Sequence, residues 1–160
     1  MPPRFRDAPR PDDVAAIRWI VESTGFFRAD EVAIAVELVE ERLAKGIEAS
    51  GYHFVFADGG AGPIGYACFG PIPCSLTSWD LYWIAVENAA RGQGLGRDLL
   101  RRAEDAVRAR GGRAIYIETS SKPQYDATRA FYLACGYVLE HVFADFYAPG
   151  DGKAVYAKQL

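Results

Sequence analysis

The segment RGQGLGRDLL, residues 91–100, places three glycines within five positions, directly before a helical pattern rich in leucine and arginine. Glycine in a helix costs about 1 kcal/mol relative to alanine, so a function or a packing requirement must favour it here. The first turn of a helix carries backbone N–H groups without internal partners and a partial positive charge. Glycines leave these donors open to a bulky anion. The segment therefore predicts a diphosphate-binding turn, with a closely packed strand-to-helix turn as the alternative.

Two other phosphate-binding motifs match this segment less well. A P-loop needs lysine followed by serine or threonine after its glycines, whereas this sequence has Arg97 and Asp98. A dinucleotide-binding fold needs GxGxxG in an opening βαβ unit, but here GxGxG follows three long strand patterns. Glu118, which lies 24 residues after Gly94, keeps the dinucleotide interpretation open as an alternative.

Composition indicates an ordinary globular protein. The 160 residues predict a single domain spanning 1–160, and 18 basic against 21 acidic side chains give a net charge of -3. This charge predicts no general attraction to nucleic acid or to a membrane. The three cysteines show neither CxxC spacing nor a nearby histidine pair, so we expect buried thiols, no metal site and a cytoplasmic location. These cysteines are Cys68, Cys74 and Cys135.

Apolar periodicity predicts an α/β fold with a mixed sheet of six or seven strands and about four helices. The second helix should bury Val32, Val36, Val39 and Leu43 and stop at Gly46. The segment 79–86 is apolar and aromatic on both faces, which is typical of a central strand. The predicted elements are a strand at 4–6, a helix capped by Asp12 or Asp13, a helix opening around Asp30, strands at 52–58, 63–70 and 79–86, a helix at 94–110, a strand at 113–119, a helix at 126–135, and two strands flanking the turn PGDG.

Two motifs resemble those of the GNAT superfamily of N-acetyltransferases. The run IAVENAARGQGLGRDLL resembles the acetyl-CoA-binding motif of that family, with Arg91, Gly94 and Gly96 at its defining positions. The later run AFYLACGY resembles the family's second signature, an aromatic residue and a tyrosine followed by glycine and another aromatic residue. The resemblance implies a mostly antiparallel GNAT-like sheet and acetyl-CoA as co-substrate.

The same resemblance implies which residues bind the cofactor. The backbone N–H groups after Arg91 would hold the pyrophosphate, and the main chain of Ile84 and Val86 would pair with the pantetheine, although both also fit plain core residues. Tyr125 stands where the family commonly has an asparagine that touches the cofactor. The implied pyrophosphate residues are Gly92, Gln93, Gly94, Leu95, Gly96 and Arg97.

Two residues are candidates for proton transfer. Tyr132 matches the family's general acid, and a phenol with a pKa of about 10 can protonate a thiolate only when the two groups are held close together. Its alternative role is that of a buried aromatic residue. Asp80 aligns with the general base of the histone acetyltransferases, and strand alternation places it on the same face as Ile84 and Val86. A carboxylate at the start of the strand is the alternative for Asp80, and Glu118 or an ordered water are the other candidate bases.

The resemblance also implies an acceptor site at residues 23–31, where Phe26 and Phe27 either line a wall or anchor the first two helices. The sequence thus predicts an N-acetyltransferase that moves an acetyl group to a primary amine by direct attack in a ternary complex. The acceptor is a small-molecule amine or a protein amino group. A non-catalytic acyl-CoA-binding sensor is the alternative, and the C-terminal strand pair offers an edge for a possible homodimer.

Overall fold

The computed structural model describes residues 1–160, which form seven strands and four α-helices. The number of strands and helices agrees with the prediction. No helix is both long enough and apolar enough to cross a lipid bilayer. The elements are β1 (Arg4–Arg6), α1 (Asp13–Ser23), α2 (Ala29–Ser50), β2 (His53–Gly59), β3 (Gly62–Pro71), β4 (Ser78–Val86), α3 (Leu95–Ala109), β5 (Ala114–Ser120), α4 (Asp126–Ala134), β6 (Val138–Ala148) and β7 (Asp151–Gln159).

The seven strands form one sheet in the order β1-β2-β3-β4-β5-β7-β6. Strand β4 is its central member, as its apolar and aromatic pattern predicts. Parallel pairing occurs between β4 and β5, where Ser78–Leu81 lies against Ala114–Ile117. The pairs β1–β2, β2–β3, β5–β7 and β6–β7 are antiparallel. The mixed, mostly antiparallel sheet is therefore confirmed.

The chain divides into two compact units: a first unit of Met1–Gly70 and Trp83–Ala106, and a second unit of Pro71–Tyr82 and Val107–Leu160. In the first unit, α3 packs closely on the sheet, since a Cβ at Gly65 would lie 3.1 Å from Leu99 Cδ1. The buried apolar side chains of the helices in this unit are Ile17, Ile20, Val21, Val32, Ala35, Val36, Val39, Leu95, Leu99, Leu100 and Ala103.

Helix α2 differs from its prediction at its C-terminal end. Gly46 does interrupt the helix, with φ 82° and ψ 176°, but a further helical turn follows and ends at Ser50. The predicted burial of Leu43 is wrong, because its side chain is 37% exposed. Helix α1 has 11 residues and α2 has 22, so α1 is too short to cover the second half of α2.

The start of α1 also differs from the predicted cap. Asp12 makes no side-chain capping bond, and the buried carboxylate of Asp13 accepts hydrogen bonds from the Arg10 N–H at 2.6 Å and from the Arg6 guanidinium. Arg6 also binds Asp58 on β2 at 2.7 Å. Burial opposes the charge of Arg6, but the bonds to both carboxylates raise its pKa overall. An ion-pair network therefore joins β1, α1 and β2.

The second unit has an aromatic core that includes Trp79, Tyr132, Tyr137 and Tyr156. Gly136, with φ 90°, follows the end of α4 as predicted.

The prediction of three buried thiols holds for Cys68 but is wrong for Cys74, which is exposed; Cys135 is half-buried. Cys74 is exposed because it lies on the loop between β3 and β4, where its φ of 70° marks a turn.

Gly112 offers a direct test of packing in the second unit. A Cβ at this position would lie 2.3 Å from Val107 Cγ1 and 2.7 Å from Trp79 Nε1. We expect Gly112→Ala to lower the free energy of unfolding by about 1–3 kcal/mol, the usual cost of overpacking. Urea unfolding measures the change. The control is Gly60→Ala, where a Cβ meets nothing within 4 Å. Equal stabilities of the two variants would contradict the close packing.

Candidate active site

The loop after β4 is fixed in place by two hydrogen bonds from its first residues. The Glu87 N–H donates to the Ile64 carbonyl on β3 at 2.8 Å, and the Asn88 N–H donates to Ser23 Oγ at the end of α1 at 3.2 Å. A 3-10 turn, Asn88–Ala90, follows. The glycine-rich segment therefore begins from a point that is bonded to both β3 and α1.

Backbone conformation accounts for two of the three glycines. Gly92 and Gly94 have φ values of 77° and 79°, a left-handed conformation that other residues rarely adopt. A Cβ on either residue would meet nothing within 4 Å, so close packing is not the reason for these glycines. Gly92, Gln93 and Gly94 are exposed. The space over this part of the backbone is therefore open to a ligand.

The N-terminus of α3 supplies hydrogen-bond donors at the same place. The Asp98 N–H donates to the Gly94 carbonyl at 3.1 Å and closes the first turn. The N–H groups of Leu95, Gly96 and Arg97 precede that bond and so have no acceptor within the helix. Together with the helix dipole, these donors suit an anionic group such as a diphosphate.

The loop between α1 and α2 contacts the motif through two aromatic side chains. Both Phe26 and Phe27 are half-buried. The Arg91 guanidinium lies 5.7 Å from the centre of the Phe26 ring, and the Phe27 ring lies 5.0 Å from the Trp83 ring. These contacts attach the α1–α2 loop to β4 and to the exposed Arg91.

Trp83 is a candidate site residue that the sequence analysis missed. It is half-buried on β4, and its indole Nε1 is buried with no hydrogen-bond partner. A buried donor without an acceptor costs about 1–3 kcal/mol, so this N–H is available to a ligand or a water. The sequence does show a tryptophan within the last four residues of β4, but the alternation of that strand assigns its side chain to the core face.

Ile84 and Val86, the predicted pantetheine contacts, lie in the same half of β4 and are both half-buried. The parallel pairing of β4 with β5 ends at Leu81. The backbone groups of Ile84 and Val86 are therefore not used in that pairing.

In the second unit, Asp80 lies on β4 directly across from Tyr116 of β5. Burial raises the pKa of the Asp80 carboxyl, and the negative charge of Glu118 raises it further. Glu118 is itself half exposed and forms an ion pair with Lys153 at 3.5 Å. Asp80 is thus a stronger base than a fully solvated aspartate.

Tyr132 is buried in α4, and its ring lies 6.0 Å from the ring of Tyr156 and 6.2 Å from that of Tyr137. Burial raises the pKa of its phenol, and Cys135 adds to the rise, so the hydroxyl keeps its proton throughout the physiological pH range.

Tyr125 is half-buried at the residue before α4, where it ends a 3-10 turn, Pro123–Tyr125. The structure therefore places Tyr125 two helical turns before Tyr132 along the chain.

Comparisons with known proteins identify the family of this chain. The model of the acetyltransferase (GNAT) family matches residues 14–137. A protein from Desulfovibrio desulfuricans assigned to the GNAT family is 44% identical, with 98% of each chain covered and a TM-score of 0.96. A comparison with curated proteins gives no match.

Two relatives of low identity share the fold. An aminoglycoside 6'-N-acetyltransferase complexed with coenzyme A is 19% identical, with 98% of this chain and 96% of that chain covered and a TM-score of 0.77. The ribosomal-protein-S18-alanine N-acetyltransferase from Escherichia coli is 18% identical, with 98% and 93% covered and a TM-score of 0.74. Since the family model matches well over half of the residues, this chain belongs to the GNAT family of acetyltransferases, whose members use acetyl-CoA as co-substrate.

Proposed function

We propose that this chain is an N-acetyltransferase that moves the acetyl group of acetyl-CoA to a primary amine by direct attack in a ternary complex. The observation that carries the proposal is the open turn at Gly92 and Gly94, with the N–H donors of α3 beside it, in a chain of this family. Three statements remain predictions from the sequence: that residues 1–160 act as one domain, that the protein is cytoplasmic, and that it forms a homodimer.

The acceptor is a small-molecule amine or a protein amino group. The names of the relatives include both classes, since one is an aminoglycoside acetyltransferase and another acts on an alanine of a ribosomal protein.

In this proposal, the backbone N–H groups from Gly92 to Arg97 bind the pyrophosphate of acetyl-CoA, beside the exposed Arg91. The positive end of the α3 dipole and the unpaired donors of its first turn support this role. The main chain of Ile84 and Val86 pairs with the pantetheine, and Tyr125 contacts the cofactor. Side chains need only shape this part of the site, because the donors and acceptors belong to the backbone.

Tyr132 acts as the general acid. The amine nitrogen, after loss of one proton to the base, attacks the thioester carbonyl carbon, and the carbon–sulfur bond then breaks. The departing thiolate takes the phenol proton. The nitrogen loses its second proton as the amide forms, and this proton restores the phenol. The raised pKa of Tyr132 by itself makes the phenol a weaker acid. The same apolar surroundings also raise the pKa of a thiol held beside the phenol. Burial therefore shifts the pKa values of the phenol and of the thiol in the same direction.

Asp80 acts as the general base that removes a proton from the incoming ammonium. The raised pKa of Asp80 brings it closer to the pKa of the ammonium, which is about 10. A bridging water is still needed to relay the proton from the ammonium to the carboxylate. Glu118 is a weaker candidate, because it is paired with Lys153 and more exposed. Its negative charge instead supports the basicity of Asp80.

Thiol release from acetyl-CoA across a panel of amines tests the proposal. The panel contains aminoglycosides, free amino acids, polyamines and peptides with a free N-terminal alanine. We expect release with at least one class, together with calorimetric binding of CoA. Binding of CoA without turnover on any amine would instead indicate an acyl-CoA sensor.

In the same assay, Tyr132→Phe should lower kcat by about 100-fold or more, the usual contribution of a general acid, while the Kd for CoA stays unchanged. Tyr137→Phe is the matched control, because it removes a phenol from a neighbouring buried ring. Equal turnover of Tyr132→Phe and the unmodified chain would refute the acid assignment.

Gly94→Ala tests the phosphate turn. Its left-handed φ is strained for alanine by about 1–2 kcal/mol, so the donors should shift and the Kd for CoA should rise about tenfold. Gly51→Ala is the control, since Gly51 has φ 70°, open space around its Cβ position and a place at the end of α2. Calorimetry should show weaker CoA binding for Gly94→Ala alone, although both variants lose stability. The same CoA affinity in the two variants would argue against the turn as the binding site.

The dependence of kcat/KM on pH tests the base. Activity should fall as the pH decreases through the raised pKa of Asp80, because the protonated carboxyl accepts no proton. Glu118→Gln removes a negative charge that raises this pKa, so the acid limb of the profile should move to lower pH. Glu40→Gln, an exposed change on α2, should leave the limb in place. An acid limb that persists unchanged in Asp80→Asn would exclude Asp80 as its origin.

A further inference from the structure

Two buried side-chain atoms of the chain lack a hydrogen-bond partner: the phenol oxygen of Tyr66 and the indole Nε1 of Trp83. Native structures leave few such groups, and each needs a physical explanation. Tyr66 is only 1% exposed, and its ring stacks with the rings of Phe54 and Phe56 inside the core. The Trp83 side chain is only half-buried. A molecule from solvent can therefore reach Trp83, whereas Tyr66 is enclosed by protein.

The chemistry of the indole N–H limits what binds to it. This group donates a hydrogen bond and cannot accept one, so its partner must be an oxygen or another acceptor. The edge of an aromatic ring is positive, so an ammonium does not bind there. A resident water needs two to four polar partners, and the Phe27 ring beside the indole offers it none. An oxygen that belongs to a ligand needs only the one donor.

The position of Trp83 indicates which molecule carries this oxygen. Trp83 directly precedes Ile84 on β4, beyond Leu81, where the parallel pairing with β5 ends. In the proposed function the main chain of Ile84 pairs with the pantetheine, so the acetyl group lies along this half of β4. The attacking nitrogen must come within about 3–3.5 Å of the thioester carbon. An oxygen bound to the indole then belongs to the acceptor and lies close to its amine.

Phe27 covers the indole in the free chain. The two rings lie 5.0 Å apart at an angle of 47°, and Phe27 is on the loop between α1 and α2. Both residues belong to the first compact unit. This ring contact involves no hydrogen bond, and side chains at the surface change rotamer within nanoseconds. We therefore expect the Phe27 ring to turn aside as the acceptor enters.

We propose that the indole N–H of Trp83 binds a carbonyl or carboxylate oxygen next to the amine that is acetylated. Trp83 thus selects acceptors with an amine one carbon away from a carbonyl carbon, which are free α-amino acids and peptide N-termini. The inference rests on the proposed function and names the acceptor class within it. An acceptor without this oxygen leaves the buried donor unpaired, which is the arrangement that gives strong discrimination.

Alaninamide and isopropylamine form a matched pair of acceptors, because they differ only by a carboxamide in place of a methyl group. Trp83→Phe keeps an aromatic ring and removes the N–H, so kcat/KM should fall at least tenfold for alaninamide and stay unchanged for isopropylamine. Comparing the two proteins cancels the different pKa values of the two amines. Tyr66→Phe, which removes the enclosed unpartnered hydroxyl, is the control and should keep the original preference. A structural role of Trp83 would lower both rates equally.

Alanine and a peptide with an N-terminal alanine distinguish the two sources of the oxygen. A preference for alanine indicates a carboxylate and a small-molecule substrate, and a preference for the peptide indicates an amide carbonyl. Either preference supports the proposal when Trp83→Phe removes it. Equal discrimination between alaninamide and isopropylamine by Trp83→Phe and Tyr66→Phe overturns it.

The ¹H–¹⁵N spectrum of the three tryptophan indoles in the presence of CoA gives a measurement that needs no turnover. The Trp83 signal is identified by its absence in Trp83→Phe or, if that variant does not fold, by cross-relaxation with the Phe27 ring. It should move on addition of alanine or alaninamide and not with isopropylamine. The signals of Trp19, which is exposed, and Trp79, which is buried, should stay in place.

The two measurements separate the failure of this inference from the failure of the proposed function. A Trp83 signal that stays fixed with alanine, alaninamide and the peptide overturns the inference, even if thiol release occurs with other amines. A Trp83 signal that moves with alaninamide, without thiol release from any amine, supports binding of the oxygen and contradicts the proposed acetyl transfer.

Discussion

The structure of the candidate site depends on a left-handed backbone turn at the start of α3. Gly92 and Gly94 adopt positive φ with open space above them, and the first N–H groups of the helix follow directly. Because these donors belong to the main chain, their direction is set by the fold and not by side-chain rotamers. The half-buried end of β4 and the helix are joined through this turn, so the rest of the proposed cofactor site relies on its conformation.

Much of the fold could be predicted from the sequence because the decisive signals are local. The pattern of Leu95, Leu99 and Leu100 marks a helix with one buried face, and all three are buried. The glycines between β2 and β3, and Gly136 after α4, lie at the ends of elements that the sequence predicts there. For the same reason the open glycine turn before α3 could be predicted, since the N–H donors of a first helical turn need no tertiary contact.

Other features depend on contacts between distant parts of the chain and could not be predicted. Leu43 of α2 is exposed because α1 is too short to cover it. The carboxylate of Asp13 is bonded to Arg6 of β1 and does not serve only as a cap of its own helix. Trp83 looked like a core residue by alternation, yet its indole nitrogen is buried without a partner. The roles of Tyr132 and Asp80 rest on family resemblance, to which the structure adds burial and the direction of each pKa.

The contacts around the start of the glycine turn also bear on local opening. Asn88 is bonded to Ser23, and the Arg91 side chain lies against Phe26, so the turn shares contacts with the end of α1 and the loop that follows. Segments that share such contacts lose their order together as one cooperative element, while isolated loops fray independently. The turn therefore loses its conformation chiefly when the C-terminal end of α1 loosens as well, although the two segments are more than sixty residues apart in sequence.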